Sequence, residues 1–121
     1  MINVKDEVYA ALAAIFDNVS DAYPRDWGTL PAVQCAEEEN KVVEYTDMKE
    51  QKAYVRYRID LWDSRSTSAA AVKADKAVSA LGLLRTQCMD IDDPSGHKHK
   101  QMRYEMVIDV ETRQVYHSMS L

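Results

Sequence analysis

The stretch Lys52–Gly82 constrains the fold more than any other. In its first part Val55, Tyr57, Ile59 and Leu61 alternate with Tyr54, Arg56, Arg58, Asp60 and Trp62. Side chains of a strand point to opposite faces with period two, so this is a strand with one apolar face. Asp63, Ser64, Ser66 and Ser68 follow, and their short side-chain oxygens can accept from the free N–H groups of a first helical turn. From Thr67 to Leu81 the chain is rich in Ala and has no Pro or Gly, which favours helix. A long strand running into a helix is the centre of a small α+β domain, and the remaining segments pack around it.

Upstream, Asn3 can cap a helix from Val4 to about Phe16, with Val4, Val8, Leu12 and Ile15 on one stripe. Asp17–Pro31 reads as a loop broken by Pro24, Gly28 and Pro31, with Trp27 as its anchor. Ala32–Ala36 and Val42–Thr46 read as two strands, and the acidic run Glu37, Glu38, Glu39 with Asn40 as the turn between them. Thr46–Gln51 is polar, lacks glycine, and reads as a longer hairpin arm. The second helix shows the stripe Ala70, Ala74, Ala77, Val78 and Leu81, and Gly82 marks its end.

Leu84–Ile91 reads as a strand and Asp92–Lys100 as a surface loop. Met102, Tyr104, Met106, Ile108 and Val110 then alternate with charged neighbours as another strand. Thr112 and Arg113 allow a kink before a short strand over 114–117. The expected fold is a single α+β domain over 1–121. Two helices pack on one face of a mostly antiparallel sheet in the order α-β-β-β-α-β-β, with a possible final β.

A chain of 121 residues, 46% hydrophobic, can bury a real core. Its net charge of −5 argues against a nucleic-acid surface, and the small Lys98–Arg103 cluster does not reverse that. No apolar run approaches the roughly 20 residues of a membrane span, and MINVKDEVYA lacks a secretory pattern, so synthesis in a cytoplasm is expected. Cys35 and Cys88 read as buried free thiols within strands.

Catalytic motifs are sparse. Three scattered glycines form no phosphate loop. His97 and His99 beside Asp90, Asp92 and Asp93 are the best metal or hydrolase set, with Asp92 the carboxylate of the hydrolase reading, but Lys98 and Lys100, which alternate with the histidines, oppose a cation. The acidic run in the expected turn could hold a metal only if its ligands converged. No metal and no cofactor are therefore expected, and His117 has no evident partner. The more informative surface is Tyr54, Arg56, Arg58 and Trp62, because aromatics and Arg are enriched at protein contacts. A solvated face is its plainer reading.

The layout resembles the tail-completion, or tail-terminator, proteins of long-tailed bacteriophages and prophages. The residues that carry the likeness are Pro24, Trp27 and Pro31, the run Ile59, Leu61, Trp62, Asp63 and Ser64 entering a helix, and the late Asp109, Thr112, Val115 and Tyr116. The charged 92–100 loop departs from the pattern. The resemblance implies a structural protein without catalysis. Such proteins form a ring, commonly a hexamer, that ends tail-tube polymerisation and meets the head connector. DNA would pass through without specific binding, and no membrane is involved. The protein would reside at the head-proximal end of the virion tail.

For such a ring the strand face of Tyr54, Arg56, Arg58 and Trp62 is the expected subunit interface. The implied tube or connector contacts are Asp47, Lys49, Glu50, His97, Lys98 and His99. A head-closure or minor tail protein of similar layout, the small metal-dependent hydrolase, and a small-molecule-binding module are the competing readings.

Overall fold

The computed structural model describes residues 1–113 and the backbone of 115–116. The order is α1 (Lys5–Ala13), β1 (Asn18–Ser20), β2 (Ala32–Thr46), β3 (Lys49–Asp63), α2 (Ser68–Ser79), β4 (Leu84–Ile91), β5 (Lys98–Asp109) and β6 (Val115–Tyr116). One sheet runs β1-β2-β3-β5-β4, and β6 also pairs with β5. Only the β1–β2 pair is parallel. The fold is α+β, as expected. Gln114 and His117, in the expected last strand, lie outside the described residues.

The central strand behaves as its alternation requires. Val55, Tyr57, Ile59 and Leu61 are fully buried, and Val55, Tyr57 and Ile59 stand opposite Met106, Tyr104 and Met102 of β5. Val8 and Leu12 of α1 and Ala70, Ala74 and Val78 of α2 close over this face as one core. The small alanines let α2 lie close against the sheet. Tyr57 and Tyr104 are buried to the ring, and their hydroxyls donate to Glu37 (3.0 Å) and Asp75 (2.7 Å). That removes the penalty of leaving a buried hydroxyl unpaired. Burial, the largest cause, and the neighbouring carboxylates push both phenols above their usual range.

Local signals at the helix ends are mostly met. Asn3 accepts from the Asp6 N–H (3.2 Å) and donates to its carboxylate (2.8 Å), although the helical turn itself begins after Val4. Ile15 is exposed rather than core, because α1 ends at Ala13. Gly82 has φ 94°, which a side-chain-bearing residue adopts only with strain.

Four expectations about the strands and thiols are corrected, besides that of the hairpin arm below. First, Ala32–Ala36 and Val42–Thr46 are one strand, because in the acidic run between them Glu38 and Glu39 pair with arginines and Glu37 accepts from Tyr57, instead of turning. Glu37 pairs with Tyr57 and Glu39 with Arg56, so Glu38 is the extra residue of a β-bulge. Second, the loop before it contains β1. The Asn18 amide donates to the carbonyls of Asp26 and Thr29, both at 2.9 Å, and Tyr9 donates to the Val19 carbonyl at 2.8 Å. Third, β5 starts at Lys98, so His99 is a strand residue. Fourth, Cys88 is exposed on β4; only Cys35 is buried.

The expected long arm is a tight hairpin. Asp47 and Met48 connect β2 to β3 with φ of 52° and 63°, the pattern of a two-residue type I′ turn. Met is poorly suited to that conformation, and its side chain is exposed. Met48→Gly is therefore expected to stabilise the isolated fold by about 0.5–1 kcal/mol, read as a higher urea midpoint at unchanged slope.

Candidate functional site

The helices cover one face of the sheet. The other face carries two adjoining clusters, one of ion pairs and one of aromatic and histidine rings.

The first is centred on Glu38. The bulge in β2 turns its carboxylate onto the face where β3 and β5 present arginines. Arg103 donates to it from Nε at 2.7 Å, Arg56 from Nε at 3.2 Å, and Arg58 Nη1 lies 3.6 Å away. Arg56 also reaches Glu39 (3.4 Å), and Arg58 reaches Asp60 (2.7 Å). Arg103 further donates to Gln87 and Gln101, and Tyr54 donates to Glu105. The Arg103 hydrogen bonds, with those of Arg56, hold the Glu38 carboxyl below its ordinary range against the opposing effect of burial. The face is thus a preset lattice of charges, partly open to solvent.

The second cluster adjoins it at the start of β5. Trp62 is 1% exposed, stacked on His99 with ring centres 4.4 Å apart. Tyr23 and Trp27 close over its edges at 5.4 and 6.1 Å, and Trp27 stacks on His97 at 4.5 Å. The His99 ring sits between two carboxylates: Nε2 is 2.7 Å from Asp60, and Nδ1 is 3.5 Å from Asp93. Both carboxylates are buried in this cluster. The Trp62 indole N–H and His99 Nδ1 have no hydrogen-bond partner of ordinary geometry.

Asp93 also ties the loop down, accepting from the Tyr23 hydroxyl (2.7 Å) and the Ser95 N–H (3.0 Å). Burial alone would raise its carboxyl. The Ser95 and Tyr23 hydroxyls, the nearby Trp62 indole and the Ser95 N–H outweigh burial and hold it well below the usual range. A depressed carboxyl stabilises the fold fully above its unfolded pKa of about 3.9, and that contribution fades as pH falls toward the lower folded value. Asp93→Asn should therefore lower the melting temperature at pH 7, with a shallower further decline between about pH 4 and pH 2 than wild type. Melting curves across that range are the check.

The site residues expected from sequence separate into distinct places. Tyr54, Arg56 and Arg58 lie on the uncovered face. Trp62 does not stand there as an open contact, because Tyr23, Trp27 and His99 bury it. His97 and His99 are not presented outward as loop side chains, since each is stacked on a tryptophan; Lys98 between them is exposed. Asp47 and Lys49 are exposed at the hairpin tip, while Glu50 pairs with the N-terminal ammonium.

Among the described residues no three His, Cys, Asp or Glu side chains converge where a metal ion could sit, so the set His97, His99 and Asp92 is not assembled. An open, polar cleft of ≈ 690 Å³ lies between the start of α2 and the β4–β5 loop, lined in part by Ser66, Asp92, His97 and Lys98. No described helix is long and apolar enough to cross a membrane. Tyr23 was absent from the expected site, while Glu38 was expected in a turn, Asp60 on the strand face and Asp93 beside the histidines in a surface loop. The available signal was the period-two placement of His99, Gln101 and Arg103, which puts all three on one face of β5.

Comparison of the chain with protein-family models and with curated proteins finds no match.

Proposed function

We propose that this chain is a structural subunit that assembles head to tail into a ring, six copies being the number the resemblance implies. The ring caps the head-proximal end of a phage or prophage tail tube, ends its growth, and offers a surface to the head connector. The observation that carries the reading is the half-covered sheet. Its open face holds Arg56 and Arg58 already ordered by Glu38, Glu39 and Asp60, and Tyr54 ordered by Glu105. Ordering long side chains is a main cost of association, and here that cost is met within the subunit. Charge pairing across a contact also fixes register and excludes wrong partners.

A head-to-tail contact uses two different patches and closes into a ring when its rotation permits. The Tyr54/Arg56/Arg58 face forms one of them. The exposed side of the β4–β5 loop, with Asp92 and Lys98, is directed to the tube or connector, while its histidines hold it in place. The acidic balance of the chain leaves a lumen that does not grip DNA, because phosphate binding needs Lys and Arg to release counterions. Native mass spectrometry at rising concentration tests the reading. One closed species of fixed number is expected, and an open-ended series of masses would count against ring closure.

A further inference from the structure

The turn between β4 and β5 is organised around Asp93. Its carboxylate accepts from the Ser95 N–H and the Tyr23 hydroxyl, and its carbonyl accepts from the Gly96 N–H at 3.1 Å. Its link to the sheet is His99, whose Nδ1 stands 3.5 Å from the carboxylate. On the other side the same ring places Nε2 2.7 Å from Asp60. The side chains of His99, Asp60 and Asp93 are only 9%, 3% and 6% exposed, so water does little to serve them.

This arrangement asks one ring for two donors. A neutral imidazole has one N–H and one lone pair. Asp60 is the nearer carboxylate and takes the N–H at Nε2. The neutral ring then turns its Nδ1 lone pair toward Asp93, an acceptor facing an acceptor. At 3.5 Å Nδ1 has no hydrogen-bond partner. With a proton on both nitrogens the ring donates to each carboxylate, and each bond is charge-assisted. Burial would raise the Asp93 carboxyl, but the Ser95 and Tyr23 hydroxyls hold it well below the usual range, so it stays an anion in mild acid.

No neighbouring group takes over the task of His99. On β3, Arg58 is bound to Asp60 at 2.7 Å, and on β5 Gln101 donates to the same carboxylate at 3.2 Å. Lys98 is exposed, and Lys100 pairs with Asp90 at 3.0 Å. His97 stacks on Trp27 and meets the Ser95 hydroxyl. β4 sets the uncharged Ile91 opposite His99, and Trp62 covers the ring face.

We propose that His99 is a proton-operated latch. Protonated, it ties the loop of residues 92–97 to the sheet through Asp93; on losing the Nδ1 proton it releases that loop. The direction follows from the donor count: lower pH closes the latch and higher pH opens it. The loop is one wall of the ≈ 690 Å³ cleft against the start of α2, so release changes access to that cleft. The latch stands on this geometry alone and holds whether or not the chain forms a ring.

Amide exchange of the full chain, expressed as protection factors from about pH 5 to pH 8, tests it. Protection of the Ser95 and Gly96 amides should fall about tenfold as pH rises, the effect of losing one charge-assisted hydrogen bond. Long-range proton–nitrogen NMR spectra should show the His99 Nδ1 proton disappearing over the same step. His99→Gln, which cannot titrate, should remove the step. Asp93→Asn should remove it too, because an amide can turn its NH2 to a neutral ring or its carbonyl to a protonated one. His97→Gln should leave it in place.

Loop protection that does not change with pH overturns the proposal. So does a step that vanishes in His97→Gln while His99 keeps its Nδ1 proton throughout. A step that survives in Asp93→Asn overturns it as well, even if His99→Gln does not fold.

Discussion

Trp62→Ala is expected to lower the unfolding free energy by ~3–5 kcal/mol, the range for deleting a buried aromatic side chain. Trp62 is 1% exposed, and its ring is the floor on which His99, Tyr23 and Trp27 rest. Its loss opens a cavity and unseats three neighbours together. It also loosens the loop that Asp93 ties to Tyr23, so the cost extends beyond one side chain. For a domain of this size the melting temperature should fall by about 10–20 °C. Trp27→Ala, on the half-buried rim of the same cluster, should cost less, about 1–2 kcal/mol. Urea titrations of the two variants give the comparison. Equal losses would mean that Trp62 is not the centre of the cluster.

The second large effect is expected on assembly. Arg56→Glu with Arg58→Glu should abolish the proposed ring, since reversed charges at a packed contact would cost roughly 2–5 kcal/mol. That corresponds to an association constant lower by about 30-fold to several thousand-fold. Within the subunit the reversal sets two new carboxylates beside Glu38, Glu39 and Asp60, with Arg103 left as the nearby guanidinium. Some loss of stability is therefore built in. Arg56→Lys with Arg58→Lys separates the two effects, because it keeps the charge and loses the forked geometry. The lysine variant should retain the fold and assemble weakly; the glutamate variant should fold less stably and not assemble. A glutamate variant that migrates as the wild-type oligomer would remove this face from the contact.

The parts of the fold legible in the sequence are those with one clear period. β3 and the later half of β5 alternate cleanly because one face meets helices and the other does not. α2 follows from its alanines and from Gly82. The acidic run of β2 misleads because three carboxylates without an apolar partner look like a turn. Glu38 and Glu39 answer Arg56, Arg58 and Arg103 on neighbouring strands, Glu37 answers the Tyr57 hydroxyl, and that pairing exists only after β2, β3 and β5 align. β1 is three residues of parallel pairing held by Asn18 and Tyr9, which leaves no periodic trace.

The candidate site is legible in part for the same reason. Tyr54, Arg56 and Arg58 fall on one face by spacing alone. Burial of Trp62 depends on Tyr23 and Trp27 arriving from a loop more than thirty positions away, which no local pattern encodes. The H-x-H pair looks like a ligand motif, yet His99 lies near the start of β5 and His97 in the loop just before it, and each ring is received by a tryptophan.

The proposed role is to end the growth of a polymer by closing around its tip. Electron microscopy of tail tubes grown with and without the purified protein decides whether it does so. Tubes should stop lengthening and carry a ring of uniform diameter at one end. Tubes that continue to grow with bare ends, at protein concentrations far above that of the tube ends, would contradict it.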